Sequence, residues 1–279
     1  MLVSIDVCCN AQSILTSAIV CINQADTQEK SQQVRTMDRI YALAHSVRIW
    51  LGSGTKEEVD SVWPMFSASS EGQYPEHIAQ VQKRKTWLHV FDETTSTSRS
   101  LKSFFCRAWF TRRWILQEVA LAREVIVHYG LQEVTWRRFY HGTYVHYCVL
   151  HGVRRRHGDC DLATMASQVL DTIVTLEHFR VQTKEYALFK GELPQTQIMK
   201  AFQLLELYHT AECVEERDRL YALYGLLLKT ILPAEQDHKL MRMCPVDYSH
   251  HFSHLYTNLA VAAIESGYLY EVLTHAIEF

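Results

Sequence analysis

Asn23, Gln24 and Asp26 follow directly on an apolar run at residues 18–22, AIVCI. Amides and a carboxylate just past the C-terminal end of a buried strand stand where open α/β sheets bind ligands. The same residue types also supply the hydrogen bonds that fix a polar loop. Arg217 and Asp218 precede the apolar run LYALYGLLL and follow Glu215 and Glu216, a charge order that suits a helix start. There the arginine and aspartate either lock the helix to the core or face a ligand. Two histidine-rich stretches carry metal-binding side chains. One holds His250, His251 and His254; the other holds His141, His146, Cys148, His151, His157 and Cys160. Neither has zinc-site spacing, so no metal is expected. Gly52-Ser53-Gly54 is too short for a nucleotide-binding fingerprint, and no GxSxG, Walker A or kinase signature occurs.

The elements that must position these groups are legible in outline. The run at 18–22 reads as a buried strand ended by Asn23-Gln24. Asp26 with Glu29 three residues on has the capping-box pattern. It opens a helix whose one face carries Val34, Met37, Ile40, Tyr41 and Ala44. A second strand, VRIWL at 47–51, ends at Gly52. Strand, helix and strand in about 35 residues fit a βαβ unit and a parallel sheet. Residues 53–100 read as a loop insertion, with a helix between 76 and 91. Trp109, Phe110, Trp114, Ile115, Val119 and Ala122 can line one helix face. A third strand is expected at 125–127, and a helix capped by Thr135 from Trp136. Beyond 150 four more helices are expected: one capped by Asp161, one capped by Thr196, one at 216–228, and one at 251–266 closed by Gly267.

Hydrophobic residues make up 48% of the 279, and the formal net charge is -3, so no global basic field is available to hold nucleic acid. The Arg154-Arg155-Arg156 run reads as a solvated loop or helix end. Eight cysteines without a CxxC pair point to free thiols in a reducing compartment. No apolar run reaches membrane-spanning length, and the first residues lack a positive leader. A soluble, cytoplasmic protein is expected.

Four segments resemble blocks of the fungal heterokaryon-incompatibility (HET) family. CINQADTQEKSQQVRTMDRIYALAHSVRIWLG, residues 21–52, is similar to that family's CINQxDxxEKxxQVxxMxxIYxxAxxVxxWLG. WFTRRWILQEVALA at 109–122 resembles WFxRxWxxQExxLA, ERDRLYALYGL at 216–226 resembles RDxxYALLGL, and VDYS at 246–249 resembles DYS. The likeness covers about residues 18–270. It departs at the start: the LSYxWG block is absent, and Thr16 and Ala18 stand where WIDAICINQ has Trp and Asp. Residues 1–17 therefore read as an atypical N-terminus, 18–150 as the α/β core, and 151–279 as a helical C-terminal part. The fold implied is a partial TIR-like parallel sheet flanked by helices, then a mainly α-helical region. Without the first strand, one edge of that sheet is expected to lie uncovered.

The resemblance implies a role in fungal non-self recognition and programmed cell death, with a protein partner or self-association. HET domains resemble TIR domains, some of which cleave NAD with a glutamate in a W-x-x-x-E context. Glu118 falls in that place, and the resemblance makes NAD a substrate rather than a cofactor. A fixed carboxylate there stabilises the ribosyl cation left by nicotinamide, and Trp114, four residues before it, can stack on a planar ring. The alternative for both is structural: Glu118 pairs with Arg112 or Arg113, and Trp114 is core. Trp50, Gly52, Trp109, Arg217, Asp218 and Tyr221 are the remaining motif residues. A truncated, inactive paralogue is the third reading.

Overall fold

The computed structural model describes residues 3–9, 12–17, 22–67, 95–144, 161–185, 197–229 and 239–278. In chain order its elements are β1 (Val3–Cys9), β2 (Gln12–Ser17), α1 (Thr27–Val34), α2 (Met37–Leu43), β3 (Ser46–Trp50), α3 (Lys56–Val62), α4 (Pro64–Ser67), α5 (Ser96–Phe105), α6 (Ile115–Ala120), β4 (Val125–Tyr129), β5 (Gln132–Thr135), α7 (136–144), α8 (Asp161–Glu185), α9 (Gln197–Leu207), α10 (Asp218–Tyr221), α11 (Tyr224–Lys229), α12 (Lys239–Met243), α13 (Phe252–Glu265) and α14 (Leu269–Glu278). The protein is mixed α/β. It forms two compact units, one drawn from residues 1–15, 45–111 and 124–178, the other from 16–44, 112–123 and 179–279. Each unit thus draws on both the stretch before residue 150 and the stretch after it.

The first unit carries a sheet of order β2-β1-β3-β4-β5. β3 and β4 pair in parallel, Val47 opposite Val125 and Ile49 opposite Val127. The sheet is mixed, however, not wholly parallel. Gly130 and Leu131 join β4 to β5, and a two-residue link can only return the chain antiparallel. β1 also pairs antiparallel with β3, Val3 opposite Ile49 and Ile5 opposite Val47. Residues expected to be foreign to the domain thus cover the edge of β3 that was expected to be bare. Of the strand expected at 18–22, residues 18–21 lie outside the described residues, and Ile22 sits in a bend. β1 separates β2 from β3 in the sheet.

Alternation in the strands sets the core. Val125, Val127 and Tyr129 of β4 are buried between half-buried Ile126 and His128. On this core sits an aromatic cluster centred on Phe104. Its ring lies 5.8 Å from Phe66, 5.5 Å from Phe110 and 5.2 Å from Tyr129. Trp109, fully buried, stands edge-on to Phe110 at 5.3 Å and to Trp136 at 6.4 Å. The stretch expected to be a loop insertion begins and ends in helices. Thr55 and Glu58 form a reciprocal capping box that starts α3, and Thr95 caps α5. The helix expected between 76 and 91 falls outside the described residues.

The second unit is helical. Asp26 caps α1, its carboxylate accepting from the amides of Gln28 at 2.9 Å and Glu29 at 3.0 Å. The expected single helix breaks at Arg35 and Thr36 into α1 and α2, although its apolar periodicity continues across the break. The helix expected across 109–122 shrinks to six residues, α6. The backbone before it is drawn away: Arg112 bridges to Glu212, and the Arg113 amide donates to the Glu212 carbonyl at 2.8 Å. α2, α6 and α11 pack on one another. The helix expected at 216–228 splits into α10 and α11. α13 begins where expected, with His251 as its cap, and Gly267 follows its end.

Candidate functional site

Three motif segments converge inside the second unit on one buried carboxylate. Asp218, on α10, is 9% exposed. Its Oδ2 accepts from the Trp114 indole N–H at 3.0 Å, and its Oδ1 accepts from the Tyr248 hydroxyl. The Lys30 ammonium lies 4.2 Å from the centre of the Tyr248 ring, and the Arg217 guanidinium 5.3 Å from it. Burial pushes the Asp218 carboxyl above its ordinary pKa; the bonds from Tyr248 and Trp114, and the charge of Lys30, pull it back. Burial and the neighbouring Asp218 push the Tyr248 phenol up, which keeps its proton in place as a donor.

Arg217 and Asp218 do not share a bond but divide the work. Arg217 Nε pairs with Glu215 at 2.9 Å, while its Nη1 donates to the carbonyls of Tyr248 (2.6 Å) and His250. Tyr221 is 2% exposed, and its hydroxyl lies 3.2 Å from the carbonyls of Pro245 and Asp247 and accepts from the Asp247 amide at 3.1 Å. The Tyr248 amide donates to Ser31 Oγ on α1 at 3.0 Å. The segment 245–250 is thereby clasped from α1 and from α10.

Glu118 sits on α6 and is 1% exposed. Arg112 Nη2 stands 3.5 Å from its Oε1. Its charge also bears on Tyr41, a fully buried phenol whose pKa is raised by burial first and by Glu118 second. Trp114 precedes α6, with its N–H already engaged by Asp218. Asn23, Gln24 and Asp26 are exposed and bonded locally: Asn23 Oδ1 accepts from the Ala25 amide at 3.1 Å, and Gln24 Nε2 lies 3.5 Å from the Ile22 carbonyl.

The remaining motif residues belong to the first unit. Trp50, at the end of β3, is 37% exposed. Gly52 adopts φ +111°, and a Cβ there would lie 2.6 Å from Arg107 Nη1. Trp109 is core. Among the described residues no group of three or more His, Cys, Asp or Glu side chains is placed to hold a metal ion. His250 stacks on His254 at 5.2 Å and meets Asp247 through Nδ1 at 3.1 Å. His146, Cys148, His151, Arg154–Arg156, His157 and Cys160 lie outside the described residues. No helix among the described residues is long and apolar enough to cross a membrane.

Residues 17–118 match the family described as heterokaryon incompatibility protein (HET). Over that stretch the chain is similar to the HET family. Heterokaryon incompatibility protein 6, OR allele, of Neurospora crassa is 27% identical over 243 residues, covering 74% of this chain and 33% of that protein. The chain thus spans about a third of the length of the curated relative it matches. No solved structure matches it. The HET segment contains Trp114, Glu118 and Lys30; Asp218, Arg217 and Tyr248 lie beyond it.

Sequence reasoning missed several participants. Tyr248 belongs to the VDYS block, whose sequence alone gives its hydroxyl no partner. Arg113 is 1% exposed and donates to the carbonyls of Tyr208 and, at 2.7 Å, Arg219. Burial lowers its pKa to about 10. Arg180 donates to the carbonyls of Val119, Ala122 and Arg123 at 2.6, 2.8 and 2.8 Å, closing the C-terminal end of α6. Arg113, one of the two arginines offered to Glu118, bonds the Tyr208 and Arg219 carbonyls instead, and nothing in a single sequence marks a partner for Arg180.

Proposed function

We propose that this chain acts in fungal heterokaryon incompatibility, converting non-self recognition into programmed cell death through a protein partner or a second copy of itself. The HET segment at 17–118 is the observation that carries this reading. The relative's name supports it. A cytoplasmic location and a TIR-like kinship of the sheet, as in innate-immune signalling modules, belong to the same proposal. The Asp218 cluster serves as the clamp that joins Trp114 of the HET segment to Tyr248 and keeps the signalling surface in one shape.

The test is expression of the chain in a filamentous fungal host. Growth arrest or death is expected with the wild type and its loss with Asp218→Ala at equal protein level. Normal growth at verified high expression of the wild type counts against the role.

In this reading Glu118 is a buried anion that holds Arg112, not a group that meets NAD; its 1% exposure favours that assignment. Nicotinamide release from NAD by the purified chain, lost in Glu118→Ala with the fold retained, would overturn it and make the protein a glycohydrolase.

A further inference from the structure

One face of the sheet is buried and carries Val47, Ile49, Val125 and Val127. The alternate positions put Arg48 and Trp50 of β3 and His128 of β4 on the other face. Trp50 stands opposite His128 in the parallel register, and His128 stands opposite Glu133 in the antiparallel one. Arg48 Nη1 lies 3.2 Å from His128 Nε2. Glu133 Oε2 lies 3.8 Å from His128 Nδ1 and 3.7 Å from Arg48 Nη1. Three ionisable side chains thus meet across three adjacent strands.

The chemistry of the donors fixes the state of the ring. A guanidinium only donates, so His128 Nε2 accepts and bears no proton. The imidazole is then neutral, with its proton on Nδ1, toward Glu133. A flipped ring would turn carbons to both charged neighbours. A second proton can enter only at Nε2, the atom that holds Arg48. It would set two donors and two positive charges against each other at 3.2 Å. The Arg48 side chain is 34% exposed, so its head can leave for water, while Glu133 stays in place to pair with the imidazolium. Burial first and the Arg48 charge second hold the His128 pKa below its ordinary value, and Glu133 opposes them. Those two are the charges that bear on His128 from β3 and β5, the strands on either side of β4.

We propose that His128 is a pH-sensitive latch for Arg48. Neutral, it holds the guanidinium against the sheet. Protonated, it turns to Glu133 and lets Arg48 go. Acidification then adds one positive charge to this face and frees a cation two residues from the exposed Trp50. The motif tryptophan thereby gains a mobile basic neighbour only at low pH.

The test follows the full chain by imidazole and guanidinium 15N NMR from about pH 8 to about pH 4.5, with His128→Gln identifying the His128 signals. Wild type is expected to show the Nδ1–H tautomer at the alkaline end. Arg48→Met, a change at a partly exposed position, is expected to raise the His128 midpoint by roughly half a pH unit or more. The Arg48 Nε–H order parameter is expected to drop below about 0.6 as wild type crosses the His128 midpoint. In His128→Gln, whose amide oxygen accepts at every pH, no such drop is expected. An Nε2–H tautomer in wild type, or an unmoved midpoint in folded Arg48→Met, overturns the proposal. So does an Arg48 order parameter that stays level in wild type or falls equally in His128→Gln.

Discussion

The two units bury different kinds of side chain. In the first, the buried polar groups are hydroxyls and one histidine: Ser46, Ser98, Ser100, His141, Thr143 and Ser167. In the second they include Arg113, Glu118, Arg180 and Asp218, which are all the buried charged side chains among the described residues. The first unit is held by apolar packing, which asks for volume and tolerates changes of shape. The second has an apolar core of its own and adds directional bonds to charged groups, which ask for particular atoms in particular places. Motif residues therefore do different work in each: Trp109 fills space and Gly52 turns the chain, whereas Trp114, Asp218 and Arg217 each reach a named partner.

The largest effect separates these two modes. Arg180→Ala strips three carbonyls of a charged donor and is expected to cost roughly 3–5 kcal/mol. Phe104→Ala in the aromatic cluster is expected to cost about the same, 3–5 kcal/mol. The conservative variants distinguish them in urea denaturation. Phe104→Leu should recover most of the loss, while Arg180→Lys should recover less than half, because one ammonium cannot span a fork of three carbonyls. Equal rescue would break the contrast between the units.

Glu118→Ala comes next. Breaking a fully buried ion pair costs about 3–5 kcal/mol, and the partial exposure of Arg112 reduces this to roughly 2–3 kcal/mol. Glu118→Gln should cost less, and the order of the two urea midpoints checks it. Gly52→Ala is expected to lose about 1–2 kcal/mol, since φ of +111° is strained for any side chain. A melt indistinguishable from wild type would contradict that backbone assignment.

The smallest effect is read as a pH dependence. Burial raises the Asp218 pKa, so the folded protein keeps that proton to higher pH than the unfolded chain. The resulting stabilisation is full below the ordinary aspartate pKa and is lost as pH rises through the raised value. Asparagine does not titrate. Asp218→Asn should therefore compare better with wild type at neutral than at acid pH, measured by denaturant midpoints at both ends. A pH-independent difference would place Asp218 outside the charged framework of its unit.

The first unit was the more legible of the two. VRIWL and VIVHY show their strands because each clusters apolar residues just before a Gly stop, Gly52 and Gly130, although the two strands pair across a long stretch of chain. The first strands were hidden, since VSIDVCC and QSILTS resemble no HET block. In the second unit His251 and Gly267 bounded α13 correctly. The breaks at Arg35–Thr36 and before Ile115 left no trace, because distant partners impose them: Glu212 draws the Arg113 amide out of any helix. The Asp218 cluster was invisible for the same reason. Its members were each noticed as motif residues, but Trp114 and Asp218 stand 104 positions apart, and periodicity carries no information at that range.

The clasp of α1 onto the segment 245–250 sets an order of events during synthesis. Arg35 waits 211 residues for the carbonyl of Val246, and Ser31 waits 217 for the amide of Tyr248. At about 5–20 residues per second, α1 leaves the ribosome roughly 10–40 s before its partners exist. Closing loops of that length also slows folding after release. The CINQ-containing segment is thus the earliest part of the second unit to be made, and its bonds to 246 and 248 are among the last that can form.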